Sequence, residues 1–259
     1  MAECSLAVSF ASIDLGIIVD EVDAEQLSEK QLAVPVTEIS DTGRRTKKLV
    51  NCGPPLPGHE IQIRDDYGDV LPDRQCGTIH VRGPSVMTGY AGDPEATAEV
   101  LSEDGWLNTG DIGYLVEGTL VITGREKDLI IINGRNIWPQ DLEFLAEQHP
   151  EVRPGDASAI SIPAEDGSET AVMVVQYRET DTDKGRDLSS RIASVVREEQ
   201  GIDCTIELVS AHTLPRTSSG KLSRAGTRRE YLKRQSKQSL IRIDQTQQEQ
   251  SNREDVSEL

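Results

Sequence analysis

The sequence predicts a mixed α/β (α+β) fold, in which a small β-rich part precedes a part where helices and strands alternate. Between residues 51 and 125, short stretches alternate apolar and polar residues and are separated by Gly, Pro and Asp. Beyond residue 126, apolar residues recur at helical spacing in some stretches and form short continuous runs in others. Because a period of two is typical of strands and a period of about 3.6 of helices, these two patterns decide the predicted fold class.

The β-rich part is predicted from three neighbouring stretches. "HEIQIRDD" places Ile61 and Ile63 on one face of a strand, "DYGD" follows as a turn, and "GTIHVRG" alternates again. This spacing favours a small antiparallel sheet or barrel. Residues 1–50, which include the acidic stretch "DEVDAEQLSE", show no such period and are predicted to be irregular.

The second part is predicted to contain amphipathic helices and several strands. "PQDLEFLAEQHP" predicts a helix with Pro139 in its first turn and Pro150 beyond its end. "DLSSRIASVVREEQG" places Leu188 and Ile192 on one helical face, and Gly201 is a suitable C-terminal cap. Strands are predicted at "TLVIT", "LIIIN", "ASAISIPA", "TAVMVVQY" and "CTIELVS".

The charge of the chain is distributed unevenly. The net charge is −18, yet residues 215–242 contain nine Lys and Arg and one acid, so this segment carries +8 and the remainder −26. The acidic remainder disfavours nucleic-acid or anionic-membrane binding. The basic segment suggests an anionic ligand or an acidic partner, although on charge alone a solvated helix face is the preferred explanation. Its helix, "KLSRAGTRREYLKRQ", has Leu222, Tyr231 and Leu232 as apolar anchors, and residues 236–259 are predicted to be a disordered polar tail.

The cysteines and the apolar runs exclude several classes of protein. Cys4, Cys52, Cys76 and Cys204 lie far apart and accompany no His cluster, which disfavours a zinc site and predicts reduced thiols in a cytoplasmic protein. No stretch approaches the roughly 20 apolar residues of a membrane span. The first residues lack the basic start and cleavage signal of a secretory peptide, so none is expected.

Three short motifs carry candidate chemistry. "TGD" ends in Asp111, and an Asp on a tight turn can accept hydrogen bonds from a vicinal diol such as a ribose. "GRE" contains Arg125, which can donate to the same sugar or to a phosphate. "PRTSSGKLSR" is a polar loop that presents one ammonium group, that of Lys221. Taken singly, TGD is typical of an ordinary turn and Gly-Arg of an ordinary strand start, and these structural interpretations are favoured over a binding role.

In this order and spacing, "TGD", "GREKDLIIINGRNIWPQDLE" and "PRTSSGKLSR" resemble the late motifs of adenylate-forming enzymes. That superfamily includes acyl-CoA synthetases, non-ribosomal peptide adenylation domains and luciferases. "MAE" resembles the end of a further aromatic-Gly-x-x-Glu motif. The resemblance, which covers roughly residues 1–235, implies that residues 1–126 are the distal part of a large N-terminal adenylation domain. Residues 127–235 would then be the small, mobile, mixed α/β C-terminal domain.

Other stretches narrow the resemblance. "MAECSLAVSF", "LVNCGPPLPGHEIQIRD" and "GRNIWPQDLE" resemble fatty acyl-AMP ligases more than CoA ligases, with an insertion-like stretch at about residues 8–48. This resemblance implies activation of a fatty acid with ATP and Mg²⁺. It also implies that the acyl group passes to an acyl carrier protein, or to a polyketide or non-ribosomal peptide synthase, and not to CoA.

The resemblance assigns a role to five residues. Glu3 matches the carboxylate that helps to hold Mg²⁺ near the phosphates, Asp111 the acid that binds the ribose hydroxyls, and Arg125 the Arg that contacts the ribose. Lys127 matches the hinge of the mobile domain, and Lys221 matches the catalytic lysine of adenylation. For Glu3 and Lys127 the alternatives are an exposed terminal acid and an exposed linker lysine.

One family feature is missing. The family has a Ser/Thr/Gly-rich loop that cradles the ATP phosphates early in its large N-terminal domain, and this sequence contains no counterpart of that loop. The chain is therefore predicted to be the last part of a larger enzyme, with a missing N-terminal half as its partner, and to be inactive alone. The alternatives are a fragment of a long-chain acyl-CoA synthetase and a non-catalytic module that docks onto an acyl carrier protein.

Overall fold

The structure, a computed structural model, describes residues 2–5, 7–36, 45–164, 168–179 and 181–237. The chain divides into two compact units, Met1–Trp138 and Pro139–Leu259. The mixed α/β fold class predicted from the sequence is confirmed. The predicted tail falls mostly outside the described residues. Among the described residues, no helix combines the length and the hydropathy that crossing a membrane would require.

The first unit is built mainly from strands. Its described elements are β1 (Val19–Asp23), α1 (Ala24–Lys30), β2 (Thr46–Val50), β3 (Glu60–Arg64), β4 (Gly77–Arg82), α2 (Pro94–Val100), β5 (Leu107–Val116), β6 (Thr119–Arg125), β7 (Ile130–Ile132) and β8 (Arg135–Ile137). Short 3₁₀ turns occur at Ala2–Cys4, Ile13–Leu15 and Glu126–Asp128. The predicted strands at "TLVIT" and "LIIIN" are thereby confirmed as β6 and β7.

A four-stranded antiparallel sheet in the order β3-β4-β5-β6 forms the body of this unit. Ile61 pairs with Val81 and Ile63 with Ile79, so the apolar residues that alternate along β3 and β4 share one buried face. The predicted small antiparallel sheet is therefore confirmed, and its period of two places one face in the core.

The described residues 19–36 and 45–50 contain two strands and a helix, so the prediction that residues 1–50 are irregular was wrong for this part. β1 pairs with β2 in antiparallel register, and the Asp23 carboxylate caps α1 by accepting from the N–H groups of Glu25 and Gln26. Val22 and Leu27 are buried against the side chain of Tyr114 on β5. Apolar residues here are too few and too widely spaced for a periodic signal, and tertiary packing decides their structure.

Several large apolar side chains of the first unit are exposed, most of them within residues 10–19. They are Phe10, Ile13, Leu15, Ile17, Ile18, Val19 and Val50.

The second unit contains the remaining described elements. They are α3 (Pro139–Glu147), β9 (Ala157–Pro163), β10 (Glu169–Gln176), α4 (Thr182–Gln200), β11 (Cys204–Val209) and α5 (residues 224–237). The three strands form one sheet in the order β11-β10-β9, in which β10 runs antiparallel to β9 and parallel to β11. Every helix and strand that the sequence predicts in this part is present.

Helix ends in this unit follow the sequence signals. α3 begins at Pro139, and α4 ends at Gly201, whose φ of 66° is the left-handed conformation expected of a C-terminal cap. Beyond α3, His149 accepts a hydrogen bond at Nδ1 from Nη1 of Arg191 on α4, at 3.1 Å. Burial, assisted by this guanidinium, lowers the pKa of His149.

The basic segment is not a uniformly solvated helix face. Arg224 donates from Nε and Nη2 to the carboxylate of Glu143 on α3 at 2.8 and 2.7 Å, and Arg234 pairs with Glu207 on β11. Tyr231 is buried, but Leu232 is 41% exposed, so the prediction that Leu232 anchors the helix was wrong. Part of the positive charge therefore holds α5 onto the unit, and the rest faces outward.

Candidate functional site

Asp111 and Arg125 meet across two neighbouring strands. They are paired residues in the register of β5 and β6, and Arg125 Nε donates to Asp111 Oδ1 at 3.0 Å. The backbone before Asp111 is shaped by Gly110, whose φ is 66°, and the N–H of Asp111 donates to Thr109 Oγ1 at 3.1 Å. The sequence alone predicted a turn at Asp111 and a strand start at Arg125, and both predictions were wrong. Asp111 lies within β5 and Arg125 is the last residue of β6, so strand pairing brings the two side chains into contact.

The Asp111 carboxylate is buried but incompletely paired. The residue is 8% exposed, and burial raises the pKa of its carboxyl group against the opposing effect of Arg125. Within the described residues, Oδ2 has no hydrogen-bond donor, and the side chain of Arg125 is 65% exposed. The free carboxylate oxygen can therefore accept a hydrogen bond from a hydroxyl group, and the guanidinium can donate hydrogen bonds toward solvent. This combination suits a ribose diol.

Glu3 lies in the same unit, in the 3₁₀ turn at the start of the chain. Its C=O accepts from the N–H of Met87 at 2.7 Å, and its Oε1 accepts from the Tyr90 hydroxyl at 3.4 Å. Among several effects on Asp111, the smallest is a rise in its pKa caused by the Glu3 carboxylate. The two carboxylates are thus near enough to interact.

The residues around Glu3 offer few ligands for a divalent cation. No cluster of three or more His, Cys, Asp or Glu that could hold a metal ion occurs within the described parts of the chain. A single carboxylate fits Mg²⁺ only as one ligand of an ion whose other ligands are phosphate oxygens and waters. Glu3 is compatible with that arrangement, and it offers no independent metal site.

Lys127 lies in the 3₁₀ turn Glu126–Asp128, directly after β6, and its side chain is exposed. The compact units meet in sequence between Trp138 and Pro139, whereas the predicted boundary lies between residues 126 and 127. A compact unit is defined by packing in one conformation and a hinge by rotation between two conformations. The predicted boundary and hinge therefore stay predictions.

Lys221 belongs to the second unit, at the end of a tight polar loop. The N–H of Thr217 donates to the Lys221 C=O at 2.8 Å, and the N–H of Gly220 donates to the Thr217 C=O at 2.9 Å. Gly220 has a φ of 81°, which residues with a side chain rarely adopt. The Lys221 side chain is exposed, so the turn presents its ammonium group to solvent.

The predicted site residues thus fall into two sets. Glu3, Asp111 and Arg125 share the first unit with the exposed Lys127, and Lys221 lies in the second unit. Sequence reasoning missed Tyr90, which contacts Glu3 and stands 87 residues further along the chain. It also counted Arg216 only as a positive charge, whereas its guanidinium donates to the C=O groups of Gly220 and Gly155. No local pattern signals either contact.

Comparison with known proteins places these observations in a family. The AMP-binding enzyme family matches residues 28–91 of the chain. A putative acyl-CoA synthetase of Caulobacter vibrioides is 48% identical over 233 residues, which cover 90% of this chain and 40% of that protein. The medium-chain-fatty-acid–[acyl-carrier-protein] ligase JamA of Moorena producens is 32% identical over 246 residues, covering 90% of this chain and 41% of that protein.

Solved structures give the same picture. A chain from a study of fatty acyl-adenylate ligases of E. coli and L. pneumophila superposes with a TM-score of 0.81 at 41% identity, covering 91% of this chain and 41% of that chain. ATP-bound MatB from Rhodopseudomonas palustris superposes with a TM-score of 0.59 at 30% identity, covering 70% of this chain and 35% of that chain. The chain spans about 40% of the length of the relatives it matches.

Proposed function

Because this chain belongs to the AMP-binding, adenylate-forming enzymes, we propose that it contributes the ribose-binding pair and the adenylating lysine to the activation of a fatty acid by ATP. The observation that carries the proposal is the contact of Asp111 with Arg125 across β5 and β6, which leaves one carboxylate oxygen without a donor among the described residues. A buried carboxylate with one open oxygen, beside an exposed guanidinium, suits the 2′- and 3′-hydroxyls of a ribose.

The reaction defines what Lys221 would do. A carboxylate oxygen of the fatty acid attacks the α-phosphorus of ATP, a new O–P bond forms, and the bond from that phosphorus to the bridging oxygen breaks as pyrophosphate leaves. Both reactants are anions, and negative charge accumulates on the phosphoryl oxygens in the transition state. An ammonium group that touches the carboxylate and the phosphate offsets this repulsion. Mg²⁺, held by the phosphates with Glu3, would neutralise charge on the departing pyrophosphate.

The second part of the proposal concerns the molecule that accepts the acyl group. The match to a fatty-acid–[acyl-carrier-protein] ligase supports an acyl carrier protein, and the match to a putative acyl-CoA synthetase supports CoA as the alternative. We favour the carrier protein. After adenylation, rotation about Lys127 would withdraw Lys221 and present another surface to the thiol. A cytoplasmic location fits this chemistry and stays a prediction.

The outward face of α5 is the surface that we assign to the carrier protein. Arg228 and Arg229 have no ion pair within the described residues, and with Leu232 and Lys233 they line a groove of about 640 Å³. Positive charge around an exposed leucine complements an acidic helix with an apolar contact residue. Charge reversal of Arg228 and Arg229 should slow carrier loading and leave adenylation unchanged; unaltered loading would contradict this assignment.

The central experiment is exchange of ³²P-pyrophosphate into ATP in the presence of fatty acids. The chain by itself is expected to show no exchange, because it lacks a phosphate-cradling loop. A chimera in which it replaces the matching part of the Caulobacter relative is expected to be active. In that chimera Lys221→Ala should lower kcat about 10²- to 10³-fold, the effect typical of removing one transition-state donor.

Controls separate the alternatives. Lys184→Ala removes an exposed lysine that pairs with Glu179 and should leave exchange unchanged. Offering CoA and an acyl carrier protein to the chimera distinguishes the two acceptors. A folded chimera with no exchange for any fatty acid, or a Lys221→Ala variant with full activity, would contradict the proposed function.

A further inference from the structure

One side chain joins the loop that carries Lys221 to a distant turn of the same unit. Arg216 donates from Nη1 to the C=O of Gly220 at 3.0 Å and from Nη2 to the C=O of Gly155 at 2.9 Å. Gly220 directly precedes Lys221, and Gly155 lies 61 residues upstream of Arg216, in the turn between α3 and β9. A single guanidinium thus joins the two turns.

The turn at Gly155 is itself held in place. Gly155 has a φ of 79°, and its N–H donates to Glu147 Oε1, at the end of α3, at 2.7 Å. The next residue, Asp156, is buried and accepts from the side-chain amide of Gln176. This turn is therefore a rigid support, tied to a helix on one side and to the sheet on the other.

The same buried network reaches the start of the loop. Gln176 on β10 accepts at Oε1 from the N–H groups of Thr213, at 3.0 Å, and Leu214, at 3.5 Å. The loop leaves the core at Leu214, which is buried, and from Arg216 onward its residues are exposed until Lys221. Within the described residues, Arg216 is the side chain that ties this exposed stretch back to the turn at Gly155.

We propose that Arg216 is a positioning residue that braces the Lys221 loop against the turn at Gly155. That the brace exists follows from the contacts above, and that it serves catalysis by Lys221 rests on the proposed function. The planar fork of an arginine can donate to two carbonyl groups at once in a fixed geometry, which a lysine cannot do. With the brace in place, the loop turns as one unit with the sheet and delivers the ammonium to a defined position.

The test is native-state cleavage by the protease Lys-C, which cuts after lysine. Arg216→Gln neither adds nor removes a cleavage site, and loss of the brace is expected to raise the rate of cleavage after Lys221 about tenfold. Cleavage requires local opening of the loop, so its rate reports that opening. Cleavage after Lys127, in the other unit, serves as the internal reference. Arg186→Gln, which removes an 81% exposed guanidinium from α4, should change neither rate.

A double-mutant cycle tests whether the contacts act as one chain. Glu147→Ala should also raise cleavage after Lys221, and Glu147→Gln, which keeps an acceptor for the Gly155 N–H, should raise it less. If Glu147 acts through Gly155 and Arg216, the double variant opens no faster than Arg216→Gln alone. Additive effects would overturn the chain of contacts.

A kinetic measurement separates positioning from a purely structural role. In the active chimera, Arg216→Gln should lower kcat for pyrophosphate exchange and leave KM for ATP within about twofold, because only the transition state uses the loop. Unchanged cleavage after Lys221 overturns the brace, even if exchange is normal. Faster cleavage with unchanged kcat overturns the positioning role. Faster cleavage in a chimera that never exchanges pyrophosphate supports the brace and refutes the proposed function.

Discussion

Replacing Arg224 by Gln should destabilise the second unit strongly. Arg224 donates twice to Glu143, and the two side chains are only 19% and 10% exposed. In the variant, the buried Glu143 carboxylate still accepts a hydrogen bond from the backbone N–H of Ala159 at 3.0 Å, but it has lost its charged partner. Removing one member of a buried ion pair costs about 3–5 kcal/mol. Because Arg224 is about one-fifth exposed and water can partly replace it, we expect about 2–4 kcal/mol here.

The assay is urea unfolding followed by two signals. Far-UV circular dichroism reports both units, whereas Trp fluorescence reports the first unit, since Trp106 and Trp138 both lie there. Arg224→Gln should lower the midpoint of the transition seen by circular dichroism and leave the fluorescence transition in place. Glu143→Gln combined with Arg224→Gln should recover more than half of the loss, because no unpaired charge remains.

Arg186→Gln, which breaks a surface pair on α4, is the matched control and should cost less than about 0.5 kcal/mol. If Arg224→Gln unfolds at the same urea concentration as this control, the ion pair does not hold α5 on the unit. A fluorescence transition that shifts as far as the circular dichroism transition would equally refute the placement of the effect in the second unit.

Three further predictions concern other groups. The pKa of His149 is lowered below 6.5 in the folded chain, so just below pH 6.5 the unfolded chain binds more protons than the folded chain. The free energy of unfolding should therefore be smaller at pH 5.5 than at pH 7, as measured by urea titration, and the difference should be smaller in His149→Gln. Burial raises the pKa of Cys76 and Cys204 to about 12, so iodoacetamide at pH 8 should label neither until urea is added, as measured by mass spectrometry; rapid native labelling would contradict this. In Gly124→Ala, the new Cβ would lie 2.4 Å from Cε3 of Trp138, so the variant should lose about 1–3 kcal/mol and alter the Trp emission; wild-type emission and stability would contradict the close contact.

Local patterns in the sequence were sufficient for most elements. The alternation at Ile61 and Ile63, the helix start at Pro139 and the cap at Gly201 each depend on a few neighbouring residues, and each prediction is confirmed. The same local reasoning failed where elements are held by distant partners. The segment containing β1, α1 and β2 carries no periodic signal, and it folds because Val22 and Leu27 find Tyr114 on another strand.

The candidate site divides in the same way. The motifs around Asp111, Arg125 and Lys221 are visible as short strings of residue types, so the sequence suffices to select them. The contact of Tyr90 with Glu3 and the brace at Arg216 join residues 87 and 61 positions apart, and no short string encodes them.

Apart from β1, α1 and β2, the sequence by itself determined most of the helices and strands. It also selected the candidate residues for the chemistry and showed that residues 215–242 are basic on an acidic protein. Only the tertiary structure decided that Asp111 contacts Arg125 and that Arg216 donates to the C=O of Gly155. It also decided that Arg224 forms a buried ion pair, whereas Arg228 forms none among the described residues. The physical reason is the separation along the chain over which each effect acts. Periodicity and capping act over a few residues, whereas burial and pairing depend on which distant segments the packed core brings together.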